Sequence, residues 1–171
     1  MSKILISGYY GFANAGDEAM LTAIIESLRQ VEKNVELTVL SGNPEDTAAK
    51  HQVCSVYRFN PLGIIRAMKD SELIISGGGS LLQDVTSKRS LLYYLSIIGL
   101  GKFFGKKVML FAQGIGPIRA KWARKLTSLV CNEADLITVR DSESAAELIE
   151  MGVKPEKITV TADSVLSLNP V

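Results

Sequence analysis

Histidine and tryptophan occur once each in these 171 residues and cysteine only twice, and each scarcity removes a class of chemistry. Cys54 and Cys131 stand far apart without CxxC spacing, which excludes a disulfide framework and a zinc or redox site built on cysteine. Both lie in mainly apolar settings and are expected to be buried free thiols of a reducing compartment. His51 sits in a polar segment ahead of a strand-like run, with no Asp or Ser spaced around it as in a triad, and is expected to be structural or solvent-exposed. No metal and no bound cofactor is implied. Long apolar runs are missing as well. Leu91 to Leu100, interrupted by Ser96 and Gly99, is about half of the roughly 20 residues a spanning helix needs and reads as a core helix. Met-Ser-Lys-Ile enters a strand-like run with no secretory h-region, so a cytoplasmic location is expected. Excess charge is also lacking. The net charge is +1, with Lys and Arg spread along the chain and acids among them, so no nucleic-acid partner is expected.

What is present has the composition of an ordinary globular protein, 47% hydrophobic and 22% charged. Short β-branched runs alternate with helical stretches from end to end, with no linker or repeat. Lys3 to Ser7, Glu36 to Leu40, Gln52 to Tyr57, Glu72 to Ser76, Lys107 to Phe111, Leu136 to Val139 and Ile158 to Thr161 read as strands. Helices are expected over Asp17 to Gln30, Pro61 to Met68, Ser87 to Phe104, Ile118 to Cys131 and Ser142 to Met151, the last stopped by Gly152. This alternation predicts an α/β fold: one Rossmann-like domain over residues 1–171, a doubly wound parallel sheet that binds ligands at the carboxyl ends of its strands.

Three glycine-bearing loops fall at such ends. The first runs from Gly8 to Glu18 and fits neither familiar nucleotide motif. It lacks GxGxxG, and the second strand ends in Ser41-Gly42-Asn43 where a ribose-binding acid would stand. Gly11 and Gly16 have P-loop spacing, but Asp17 and Glu18 replace the Lys and Ser/Thr. Two carboxylates at a helix N-terminus compete with phosphate for the same positive dipole end. In the functional reading Asn14, Asp17 or Glu18 hydrogen-bonds the hydroxyls of a sugar, or one carboxylate serves as a base. In the plainer reading Asp17 is an N-cap and the glycines form the turn. In the second loop, Gly77, Gly78 and Gly79 are candidates for an anion-binding nest or a close approach of substrate, and Ser80, Gln83 and Asp84 either meet hydroxyls or cap the next helix. The third loop offers Gln113, Gly114 and Gly116. Arg140, at the end of the next strand, either pairs locally with Asp141 or Glu143 or forks a carboxylate or phosphate. Arg119, Lys121, Arg124 and Lys125 read as the solvated face of an amphipathic helix, with contact to anionic lipid as the less favoured alternative.

GYYGFANAGDEAM, ELIISGGGSLLQD, FAQGIGP, ITVRDSESAAELIEMGV and ITVTADSVLSL, in this order over nearly the whole chain, resemble the N-terminal domain of the polysaccharide pyruvyl transferase family, most closely its bacterial cell-surface anchoring (CsaB) type. One departure is Ala13, where the Gly-Asn-x-Gly-Asp pattern has glycine. The resemblance implies the N-terminal half of a GT-B-like two-domain enzyme, ending at an interdomain linker, with the C-terminal domain as its missing partner. It implies pyruvyl transfer from phosphoenolpyruvate, as donor substrate, to two hydroxyls of a sugar on a lipid-linked cell-wall polymer precursor, forming a 4,6-ketal. A histidine and a basic residue of the C-terminal domain are implied donor contacts, and Arg140 is the one matching donor position here. Asp17, from the reading of the first loop, and Arg140 are the candidate catalytic residues. The isolated chain should then be inactive, and contact with the inner face of the membrane is compatible with such an acceptor. Two other classes fit the same residues: a GT-B glycosyltransferase using a nucleotide sugar, and a non-catalytic module of a cell-wall assembly complex.

Overall fold

In a computed structural model that describes residues 1–161, seven strands form one all-parallel sheet in the order β3-β2-β1-β4-β5-β6-β7. The strands are β1 (Lys3–Ser7), β2 (Glu36–Ser41), β3 (Cys54–Tyr57), β4 (Leu73–Gly77), β5 (Lys107–Gln113), β6 (Leu136–Val139) and β7 (Ile158–Val160). Between them lie α1 (Ala15–Val31), α2 (Pro44–His51), α3 (Pro61–Asp70), α4 (Lys88–Phe103), α5 (Lys121–Glu133) and α6 (Ser142–Met151), and a 3₁₀ turn at Pro155–Lys157 leads into β7. Most of the closing ITVTADSVLSL motif lies outside the described residues.

The alternation of side chains along a strand divides the core in two. Ile4, Ile6, Leu37, Val39 and Ile75 face α1 through Leu21, Ile24 and Ile25. Leu5, Leu40, Ile74, Val108, Leu110, Ile137 and Val139 face the opposite layer, where α3, α4, α5 and α6 pack. The helix α2 lies beside α1, whose Arg29 donates to the His51 and Gln52 carbonyls. The chain winds outward from β1 in one direction and from β4 in the other, so the crevice between β1 and β4 is the topological switch point of the sheet. The first and second glycine loops flank it.

Several boundaries move for identifiable reasons. The helix α2 was not expected, because its polar sequence has no apolar stripe; Asn43 caps it through the Asp46 amide and Pro44 opens it. The first helix starts at Ala15 and not Asp17, because Asn14 is the N-cap and its side chain accepts from the Gly16 and Asp17 amides. Ile118 to Ala120 precede α5 as a non-helical lead-in. Cys131 is buried as expected and burial pushes its thiol up to about 12, but Cys54 is exposed on the edge strand β3.

Candidate functional site

The first loop is held by a small network around Glu18. Its Oε1 accepts from the Gly11 amide at 2.9 Å and its Oε2 lies 3.2 Å from His51 Nε2. His51 is thus structural, and Glu18 is spent on the loop and not presented to a ligand. Gly11 is at φ +80°, and a Cβ there would lie 2.1 Å from Ser41 Oγ, so only glycine fits. Ala13, where the family pattern has glycine, adopts φ +56°. The left-handed turn is therefore kept with a residue that pays steric cost for it.

The second and third loops are joined to each other. Gly114 donates to the Gly79 carbonyl, Gly116 to that of Leu82 and Asp84 to that of Pro117, continuing the β4–β5 pairing beyond the strand ends. A register shift between Leu110 and Gln113 re-aims the end of β5, with Ala112 at φ +46° and the Thr138 hydroxyl accepting from the Ala112 amide. Gln113 is fully buried and donates to the Gly79 carbonyl, so it ties the loops together and does not face the cleft.

This geometry corrects the anion-nest expectation for Gly77, Gly78 and Gly79. All three are buried; the Gly78 amide donates to Phe111 and the Gly79 amide points at Met20 Sδ. Their smallness serves packing. A Cβ on Gly77 would lie 2.7 Å from Ile24, and one on Gly79 would lie 3.1 Å from an Asp17 carboxylate oxygen. Asp84 does not cap α4, whose N-cap is Ser87. Its carboxylate instead accepts from the Arg119 and Ala120 amides ahead of α5, and these bonds hold it below the usual carboxylate range.

Between the first and second loops lies a cavity of about 320 Å³ at the switch point, lined by Tyr9, Asp17, Ser80, Leu81, Gln83, Thr86, Ser90 and Tyr94. Asp17 is half-buried on the first turn of α1, and its carboxylate has no hydrogen-bond partner among the described residues. Burial, and then the neighbouring Glu18, raise its pKa. Gln83 is braced by Thr86. Ser80 accepts from Arg140 Nη2 at 3.1 Å, while Arg140 Nε lies 3.4 Å from Asp141. Arg140 lies across Gly114, where a Cβ would come within 2.7 Å of its guanidinium carbon. Asp17, Ser80 and Gln83 thus share the cavity, and Arg140 reaches its edge through Ser80. Asn14 and Gly16 stay exposed at the mouth of the first loop, and Gly116 packs on Gln83.

One residue of this region was not singled out from sequence. Arg58, at the carboxyl end of β3, is 5% exposed, and its guanidinium is surrounded by the rings of Tyr9, Phe12, Phe59, Tyr93 and Tyr94, from 4.5 Å for Tyr93 to 5.9 Å for Tyr9. Its Nε and Nη1 have no hydrogen-bond partner among the described residues, and ring faces surround the charge. Two of those rings, Tyr9 and Tyr94, are walls of the Asp17 cavity. The signal was the cluster Tyr57-Arg58-Phe59 with Tyr93-Tyr94 and Tyr9, which only the fold brings together.

A parallel sheet with an acid-bearing cavity at its switch point defines a Rossmann-like α/β domain with a candidate small-molecule site. The chain belongs to the polysaccharide pyruvyl transferase family, whose model matches residues 14–171. Solved structures with the same fold include Anabaena HepE in complex with UDP-glucose, at 14% identity and TM-score 0.63 over 95% of this chain and 44% of HepE. The lipopolysaccharide outer core galactosyltransferase WaaB is similar at 14% identity and TM-score 0.55, over 95% of this chain and 45% of WaaB. UDP-GlcNAc 2-epimerase from Neisseria meningitidis, bound to UDP-GlcNAc, aligns at 15% identity and TM-score 0.55, over 97% of this chain and 47% of the epimerase. The chain therefore spans less than half the length of these proteins. No curated protein matches the sequence.

Proposed function

We propose that this chain is the acceptor-side half of an enzyme that transfers pyruvate from phosphoenolpyruvate to a saccharide of a lipid-linked cell-wall polymer precursor, forming a 4,6-ketal. The observation that carries the reading is Asp17: a half-buried carboxylate with raised pKa and no hydrogen-bond partner among the described residues, facing a cavity at the switch point of the sheet. A carboxylate less acidic than usual is a better proton acceptor, as activation of a sugar hydroxyl requires. Ser80 and Gln83 orient the saccharide, with Asn14 at the mouth. In the reaction the donor methylene gains a proton, one sugar oxygen bonds to the adjacent carbon, and the second hydroxyl displaces inorganic phosphate to close the ketal. Arg140, whose guanidinium reaches the cavity edge, meets the donor's carboxylate or phosphate. The remaining cations, and the acid that protonates the methylene, belong to a second domain.

The test is transfer by the full-length protein. Label from phosphoenolpyruvate should appear in an acid-labile saccharide product, and the 171-residue chain alone should give none. Transfer of sugar from a nucleotide sugar, with none from phosphoenolpyruvate, would instead support the glycosyltransferase reading that the fold also accommodates.

A further inference from the structure

The even spread of charge expected from composition does not hold locally. Between Asp84 and Glu133 the chain carries nine Lys and Arg and no acid. Acids from elsewhere neutralise some of them. Arg124 pairs with Glu147 and Glu150 of α6, and Lys102 and Lys107 pair with Asp135. Lys88, Arg89, Arg119, Lys121 and Lys125 are exposed and make no ion pair among the described residues. The nearest acid, Asp84, is occupied by two backbone amides.

These cations share a surface with exposed apolar side chains. The helices α4 and α5 pack side by side on one face of the sheet, so the stripes opposite their buried residues both point outward. On α4 the outward stripe carries Leu92 and Leu100, and Phe103, which is 81% exposed; on α5 it carries Trp122, 48% exposed, and Leu129, 60% exposed. Both helices begin at the carboxyl edge of the sheet, so Lys88, Arg89, Arg119 and Lys121 gather with Trp122 beside the second and third loops. At that end the cations lie beside exposed Trp122 and Leu92 with no acid in the first three turns of either helix, whereas Phe103 and Leu129 sit at the far ends near Asp135 and Glu133. The cationic end matches helices that rest in an anionic lipid interface. Tryptophan favours that depth, and lysine stems span it.

We propose that the outer face of α4 and α5 docks on an anionic lipid bilayer, with Trp122 seated among the headgroups and the five free cations against lipid phosphates. Docking there lays the sheet roughly parallel to the lipid plane, with the carboxyl edge and its cavity opening along the membrane surface. The inference rests on charge and exposure alone, so it stands or falls separately from the pyruvyl transfer reading.

Trp122 is the only tryptophan, so its fluorescence reports on this face directly. With vesicles of phosphatidylglycerol and phosphatidylcholine, the protein should co-sediment and the Trp122 emission should shift to the blue. Raised salt should reverse both, and pure phosphatidylcholine should produce neither. At about fivefold per basic residue, reversing charge in Lys121→Glu with Lys125→Glu should weaken partitioning more than tenfold. No binding to the anionic vesicles would overturn the proposal, as would binding with Trp122 emission unchanged or an equal response to neutral vesicles.

Discussion

Asp17 is the residue at which stability and function pull apart. Its carboxylate is partly desolvated, unpaired and close to Glu18, so its pKa is higher in the folded chain than in the unfolded one. Stability from such a group is fully present below the unfolded pKa and is lost as pH rises through the folded one. Asp17→Asn should therefore raise the unfolding temperature by a few degrees at neutral pH, and the gain should shrink as the pH falls toward the carboxylate range; a loss at neutral pH would mean that Asp17 has a stabilising partner. Ala13 presents a backbone counterpart. At φ +56° it bears roughly 1–2 kcal/mol of strain that glycine would not, against roughly 0.4–1 kcal/mol of extra chain entropy in the unfolded state. Ala13→Gly should thus stabilise by up to about 1.5 kcal/mol in urea unfolding. The Arg58 guanidinium is surrounded by ring faces, and Arg58→Ala would open a void among five aromatic side chains. A loss of about 2–4 kcal/mol is expected, together with a weakened near-ultraviolet tyrosine signal, whereas an unchanged signal would show that Tyr9 and Tyr94 are placed by other contacts.

The elements most legible in the sequence were those whose apolar spacing matches their own period: all seven strands, and α1, α3, α4, α5 and α6. The helix α2 was hidden because capping and proline, not an apolar stripe, define it. The same limit applied to the loops. Glycine runs at strand ends marked the correct edge of the sheet, but which amides remain free depends on pairing between loops far apart in sequence, and here the second and third loops consume one another's. Asp17, next to an occupied Glu18, could not be told from it by spacing, because the difference lies in His51 and the Gly11 amide. Asp84 shows what such a long-range tie does for an element. The helix α5 has Ala120 at its N-cap position and no side-chain cap of its own, and a carboxylate from the second loop fixes its lead-in instead, accepting from the Arg119 and Ala120 amides. Asp84→Ala should speed amide exchange at Arg119 and Ala120 while leaving α6 protected. Since the carboxylate's pKa is depressed by those bonds, its contribution should be present above the unfolded value and disappear as pH falls through the folded one.

At the scale of the whole molecule, a family of transferases, a doubly wound sheet and a cavity at its switch point converge on one division of labour. In the proposed reading, this chain carries Asp17 and the polar groups for the sugar, and contributes Arg140 toward the donor. The most direct measurement is a comparison of donor binding and turnover in the full-length enzyme carrying Asp17→Asn. Phosphoenolpyruvate affinity should stay within about twofold of the parent, while pyruvyl transfer to the saccharide should fall by roughly 10²-fold or more, the scale of a lost general base. Equal loss of donor binding, or transfer at the parent rate, would contradict the assignment of the Asp17 cavity to the acceptor.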